Sequence, residues 1–289
     1  MIKQRTIKEP FVIEGVGLQT GKPVRLALRG SPANSGINFV RTDLPNKPLL
    51  NVRSIDLDKL ARPQRRTILA LGPLQIQTTE HLMAALFGLG VDNILIELDN
   101  IELPGLDGSA KGFVDAIKRA GIVEQNAPKK ILKIDKPIKC EGKDSSIEAY
   151  PSDDLRISYT LSYENASLGT QVFDIVLNES SFEKEIAPAR TFCLEEEAEA
   201  LLKMGLGKGA NYENTLVMAK SGPINNVLRF SDEPVRHKIL DLVGDLCLLG
   251  FPVSGRIVAR KSGHNLNIEF VSKLKKILQE GSEYGKDRA

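Results

Sequence analysis

The chain has 289 residues, 42% hydrophobic and 26% charged, a globular composition with room for one large domain or two ordinary ones. Its 39 basic and 37 acidic residues leave a net charge of +2, which gives no electrostatic ground for binding nucleic acid or an anionic membrane. Cys140, Cys193 and Cys247 lie far apart with no Cys-x-x-Cys pair, so they read as small buried hydrophobes rather than a disulfide framework or a thiolate metal site.

In chain order, Glu14 interrupts the apolar run Phe11 to Leu18, and no later run approaches the roughly 18 apolar residues of a membrane span. The expectation is a cytoplasmic protein with neither signal peptide nor transmembrane segment. Val24–Leu28 and Ile37–Val40 read as strands. Glu80 to Leu89 has helical apolar spacing (Leu82, Met83, Ala85, Leu86, Leu89) and stops at Gly88/Gly90. Asn93–Leu98 is β-rich, and Asp107-Gly108-Ser109 looks like the start of a helix carrying Phe113, Val114 and Ile117. The polar, proline-broken segment Gln125 to Lys130 is the candidate linker. Beyond it, Arg156–Leu161 and Val172–Val176 are β-rich. Glu195–Met204 predicts a helix ended by Gly205, followed by a Gly207-Lys208-Gly209 loop and a strand at Leu216–Met218. Val235 to Leu249 then repeats the helical spacing and stops at Gly250, before a strand at Gly255–Ala259 and an amphipathic stretch with Phe270, Val271 and Leu274.

The two halves match in order. His81 precedes Phe113-Val114 by 32 residues, and His237 precedes Phe270-Val271 by 33, which suggests an internal duplication with a cleft between the copies. Strands first and helices later in each half predict an α+β fold of two similar domains, each a layer of mostly antiparallel sheet packed with helices, the active site lying between them. The expected domains are residues 1–126 and 127–289, the second carrying an insert at about 194–219.

The chain has only three histidines. His237, Asp241 and Asp245 step by four, so on a helix they share one face, and residues four apart approach closely enough for one ion to bind both side chains. An imidazole and a carboxylate suit zinc, and His81, at the start of the matching helix, is the natural third donor of an open, catalytic-type site. Taken alone, His-x-x-x-Asp also suits a surface ion pair. The apolar neighbours Ile239, Leu240, Leu242, Val243 and Leu246 weaken that reading, because buried carboxylates need a cation or strong donors. Glu80 beside His81 and His264 after Gly263 are candidates to move protons, although neither is assigned by spacing. Thr191 in Ala187-Pro188-Ala189-Arg190-Thr191-Phe192 could donate to an oxyanion. Gly207-Lys208-Gly209 lacks the spacing of a phosphate-binding loop.

The motifs Gly15-Val16-Gly17-Leu18, Thr79-Glu80-His81-Leu82-Met83-Ala84-Ala85-Leu86, Gly90-Val91-Asp92-Asn93 and Leu106-Asp107-Gly108-Ser109-Ala110 occur in the first half. Ile186 to Phe192, Val235 to Leu242, Gly244-Asp245-Leu246 and Lys261-Ser262-Gly263-His264 follow in the second. In this order they resemble the UDP-3-O-acyl-N-acetylglucosamine deacetylases, zinc amidases that commit bacteria to lipid A synthesis. The resemblance runs from Gln4 almost to Leu274.

It implies zinc held by His81, His237 and Asp241, Glu80 as general base, and His264 as the cation that protonates the leaving amine. Asp245 would orient His264, Thr191 would bond the oxyanion, and Lys238, Phe192 and Gly263 would meet the sugar nucleotide. The insert would form an acyl-chain passage for which Leu201, Leu202, Met204, Leu206 and Leu216 are apolar enough. The implied partner is a small acylated UDP-amino sugar, with transient contact to a lipid-like product, no nucleic acid, and a monomeric enzyme. Departures fall at Gln19, where histidine is usual, at Glu164–Gly169 including Asn165–Ser167, and at Gly209–Asn214 including Ala210–Tyr212. They bear on substrate contacts rather than on the reaction. A zinc amidase for a different N-acyl sugar would share the same constellation. A non-catalytic zinc-binding homologue would be expected to lose Glu80 or His264, and both are present.

Overall fold

Strands, most of them alternating in burial, build the first half. These are β1 (Lys3–Ile7), β2 (Phe11–Val16), β3 (Pro23–Gly30), β4 (Ile37–Arg41), β5 (Leu49–Asn51), β6 (Ile68–Leu71), β7 (Leu74–Gln77), β8 (Ile94–Leu98) and β9 (Ile122–Pro128), with helices α1 (Glu80–Gly88) and α2 (Lys111–Ala120). In β3, Val24, Leu26 and Leu28 point inward while Arg25 and Arg29 meet solvent, the pattern of a sheet covered on one face. The second half holds β10 (Leu132–Lys133), β11 (Ile138–Glu141), β12 (Ser146–Tyr150), β13 (Leu155–Ser162), β14 (Thr170–Val176), β15 (Phe192–Leu194), β16 (Leu216–Ala219), β17 (Gly222–Pro223) and β18 (Val253–Arg260). Its helices are the turn α3 (Glu179–Ser181), α4 (Glu195–Lys203), α5 (Glu233–Leu246) and α6 (His264–Tyr284). The computed structural model describes residues 1–61 and 65–284, with side chains through residue 277, so the end of the expected 127–289 domain lies outside the described residues.

The duplication is visible in the topology. The first sheet has the order β2-β3-β8-β4-β5 and the second β11-β12-β18-β13-β14. In both, the last strand of the sheet in chain order lies in the middle, antiparallel to one neighbour and parallel to the other: β8 lies antiparallel to β3 and parallel to β4, and β18 antiparallel to β12 and parallel to β13. Helix α1 therefore corresponds to α5 and α2 to α6. The two halves share one hydrophobic core.

The polar segment that composition marks as a linker is mostly strand. Residues through Pro128 belong to β9, which runs antiparallel to β1. Its polarity is satisfied locally: Gln125 donates to the Ser31 carbonyl at 2.7 Å and accepts from Asn93 at 2.7 Å. The Gly90-Val91-Asp92-Asn93 motif serves the same fastening, since Asp92 accepts from the Arg5 amide and pairs with Lys129, while Asn93 also accepts from the Gly36 amide.

Helices α1 and α5 are buried nearly all round and pack on each other, so they lie between the two halves rather than on the surface. Their backbones touch at Gly244, where a Cβ would fall 2.3 Å from the Glu80 carbonyl oxygen. Alanine is the better helix former by about 1 kcal/mol, yet Gly244→Ala forces the helices apart. The expected outcome is a net loss of stability of roughly 1–3 kcal/mol from overpacking, read as a lower midpoint in urea. An unchanged or raised midpoint would contradict this close crossing.

Candidate active site

The α1–α5 crossing brings His81, in the first turn of α1, against His237 on α5, with ring centroids 5.2 Å apart and planes nearly perpendicular at 82°. Asp241 sits one turn further along α5, and its Oδ1 lies 3.3 Å from His237 Nε2. One ligating atom from each of His81, His237 and Asp241 falls within 4.8 Å of the others, and all three residues are buried. His237 Nδ1 meets the Ala189 carbonyl at 3.0 Å. A donor proton on Nδ1 leaves the Nε2 lone pair facing the cluster, which is how a ligating imidazole is usually oriented. Burial, then the neighbouring His237, lowers the His81 pKa to about 3, so His81 is neutral and able to ligate. Burial alone would raise Asp241, but Lys238, His237 and His264 outweigh it and hold the carboxyl well below its usual range. Two imidazoles and an ionised carboxylate make a donor set that fits a divalent cation.

A second group of side chains surrounds Asp245, which is 1% exposed. Its Oδ2 takes His264 Nδ1 at 2.8 Å and Asn267 Nδ2 at 2.8 Å, while its Oδ1 takes the Thr67 hydroxyl at 2.6 Å. Burial pulls the His264 pKa down, but Asp245 and then Asp241 overcome it and raise it to about 9. Glu80 moves the other way from an ordinary carboxylic acid. Burial is the main cause, opposed by His264 and reinforced by Asp241, and its pKa rises to about 7. The Thr67 amide also donates to Glu80 Oε2 at 3.1 Å, so Thr67 touches both proton-bearing groups. The strand-to-helix turn ahead of Glu80 is strained at Thr78 (φ 55°), held by its amide on the Thr67 carbonyl and its hydroxyl on Glu102.

Arg190 explains why an arginine stands in Ala187–Phe192. It is 5% exposed and grips Glu233, at the start of α5, through Nε at 2.9 Å and Nη2 at 3.2 Å. Its remaining donors reach Asn226 and the Val227 carbonyl. This satisfied ion pair fixes the Ala189 carbonyl and Thr191 relative to His237.

Two cavities meet at the cluster. One, of about 500 Å³, is bounded by Leu18, Leu201, Leu202, Leu206, Val217 and Ile224. The other, of about 840 Å³, is bounded by Tyr163, Lys238, Lys261, Ser262, Gly263 and His264. Thr191 and Phe192 line both, and Phe192 sits edge-on to His237 at 6.5 Å. Lys238 faces the polar cavity but also pairs with Asp241 Oδ2 at 2.7 Å. Burial lowers its pKa, and the Asp241 charge more than reverses this.

Among the five apolar insert residues, Leu201, Leu202 and Leu206 reach the first cavity. Met204 does not: it is 64% exposed at the end of α4, and Leu216 is buried instead in a small separate cluster with Leu168 and Met218. The Gly207–Gly209 loop docks the insert on the first half, since the Lys208 and Gly209 amides donate to the carbonyls of Gln19 and Leu18. Gln19 adds its own side chain, accepting from the Gly207 amide at 3.1 Å. At Glu164–Gly169 the chain turns between β13 and β14 with Asn165 Oδ1 capping Ser167 and Leu168, while Glu164 faces the polar cavity. Ala210, Asn211 and Tyr212 face the apolar one.

Residues 4–276 match the family model for UDP-3-O-acyl N-acetylglycosamine deacetylase (LpxC). The chain belongs to this family. It is 42% identical over 278 residues to the UDP-3-O-acyl-N-acetylglucosamine deacetylase of Chlamydia caviae, covering 96% of this chain and 98% of that one. It is 40% identical over 273 residues to the enzyme of the same name from Anaeromyxobacter sp. (strain Fw109-5), covering 94% and 88%. It is also 38% identical over 305 residues to the bifunctional enzyme LpxC/FabZ of Chlorobaculum tepidum, covering 96% of this chain but 65% of that longer protein. Among the described residues no helix is long and apolar enough to cross a membrane.

Thr67, Asn267, the Ala189 carbonyl and Arg65 escape a reading by motif. Thr67 and Asn267 carry no spacing signal, and a backbone carbonyl carries none at all. The Arg190–Glu233 pair gives a direct test. Arg190→Met strands a buried carboxylate and is expected to cost about 3–5 kcal/mol, measured by urea denaturation. Adding Glu233→Met should restore most of that loss, and a double variant no more stable than the single would exclude the pair as the cause.

Proposed function

We propose that this chain hydrolyses the acetamide of a UDP-3-O-acyl-N-acetylglucosamine, releasing acetate and leaving the amino sugar used in lipid A synthesis. We also propose zinc at His81, His237 and Asp241, the donor set of two imidazoles and a carboxylate that zinc favours. Bound there, zinc supplies Lewis acidity, activating water near neutral pH and polarising the amide carbonyl.

The observation that carries this reading is the pairing of Glu80 and His264 beside one ligand cluster with opposite needs. Glu80, with a pKa near 7, is poised to accept a proton from the attacking water. His264, held cationic up to about pH 9 by Asp245 and Asp241, keeps a proton to give to the leaving nitrogen. Water adds to the carbonyl carbon, the C–N bond breaks, and the nitrogen leaves as an amine with the proton from His264. The Thr191 hydroxyl, on the lining of both cavities, would donate to the oxygen that becomes anionic. Asp245, bonded by Thr67, Asn267 and His264, fixes the imidazole and preserves its charge. The polar cavity, with Lys238, Lys261 and Gly263, suits the diphosphate nucleotide, and the apolar cavity suits the acyl chain.

Metal analysis of purified protein should find about one zinc per chain, removed by a chelator together with acetate release. Glu80→Gln and His264→Ala should each keep the metal while losing on the order of 10²–10⁴ in turnover. Full activity in either variant would sink that residue's role. The pH profile follows from the same groups. Glu80 must be ionised, so kcat/KM rises with pH through about 7, or lower once a divalent cation sits beside it. His264 must be protonated, so kcat/KM falls as pH passes about 9. Removing His264 should abolish the alkaline limb, and its persistence would move that limb to another group.

A further inference from the structure

The two cavities share a rim made by Arg65, Thr191, Phe192, His237 and Asp241. His237 and Asp241 belong to the ligand cluster, Thr191 is the proposed oxyanion donor, and Phe192 offers no hydrogen-bond donor. Arg65 is the rim residue whose side chain has no part in the chemistry. On the reading just given, a substrate lays its amide on the cluster, its nucleotide in the polar cavity and its acyl chain in the apolar one. The ester joining chain to sugar must then cross this rim. Its carbonyl loses water on entering, and an unmet acceptor there is costly.

We infer that Arg65 donates to the ester carbonyl of the 3-O-acyl group and so makes the site select acylated over bare nucleotide sugar. The guanidinium is already steered to the rim. Its Nη2 pairs with Glu197 in the first turn of α4, and that carboxylate also accepts the Leu194 amide at 3.0 Å, tying the ion pair to the helix start. The pair occupies one nitrogen of a planar fork that carries five donors. The Arg65 side chain remains 32% exposed, open to the space where the cavities join. A charge-assisted bond to a neutral carbonyl gives recognition without a requirement for a particular chain length.

The test is equilibrium binding, by calorimetry, of the 3-O-acylated and the unacylated UDP-N-acetylglucosamine in a Glu80→Gln background that does not turn over. Arg65→Met should weaken binding of the acylated sugar about tenfold or more and leave the unacylated sugar unchanged. Arg65→Lys should retain part of the preference, since an ammonium still donates, and Glu197→Gln should retain most of it. An unchanged preference in Arg65→Met, equal weakening of both sugars, or a Glu197→Gln loss as large as that of Arg65→Met would overturn the assignment. Acetate release by protein with Glu80 intact tests the reaction separately: an intact acyl preference without turnover would fault the deacetylase reading and not Arg65.

Discussion

The contact between α1 and α5 at Gly244 is the constraint from which the site follows. The metal-ligand candidates come from both helices, and a helix pair separated by ordinary side chains would stand 8–10 Å apart. Backbone against backbone, with a Cβ at residue 244 excluded by the Glu80 carbonyl, His81 comes within ring contact of His237. The same crossing puts Glu80 beside Asp241 and, through Thr67, beside Asp245. A glycine inside a buried helix costs stability. Here the alternative is to move Glu80 and His81 away from His237 and Asp241.

Three histidines are buried around the cluster, and environment alone separates the ionisation of His81 from that of His264. His81 and His264 are both buried, so desolvation pushes both toward neutrality. His264 has Asp245 at 2.8 Å and wins back its charge, whereas His81 faces another imidazole and does not. Asp245 can do this because Thr67 and Asn267 satisfy it with neutral donors, which leave its charge available to the imidazole. The local logic is that of an acid and a base made from ordinary groups by what surrounds them.

Much of this was legible in the sequence, for a physical reason. Helical periodicity, the glycine stops at Gly88/Gly90 and Gly250, and the repeat of helix, strand and helix reflect local chemistry, and each reappears in the fold. His237, Asp241 and Asp245 share one helix face, so their spacing alone puts them together. The polar run at Gln125–Pro128 misled as a linker because hydrogen bonds made by side chains distant in sequence are invisible to composition. Met204 and Leu216 looked like Leu201 and Leu202, but apolar character does not say which side of an insert faces a cavity. Thr67 was out of reach for the same reason: its partners Asp245 and His264 lie 178 and 197 residues away.

The duplication supplies the cleft but not the chemistry, which depends on where the copies differ. At the start of α6 the chain places His264, held by Asp245. At the matching place before α2 it has Asp107 and Ser109, whose oxygens receive Arg229 from the second half and brace the Ala187–Phe192 segment through Pro188. One copy's turn carries a buried histidine paired with Asp245, and the other's buttresses the segment that carries Thr191. The insert adds a second contrast. Its helix α4 has no buried residue and is fastened by the Gly207–Gly209 loop, Gln19 and the Arg65–Glu197 pair. Elements with few buried contacts open at low free energy. The wall of the apolar cavity is held by fewer buried side chains than the ligand cluster, which sits at the backbone contact of α1 with α5.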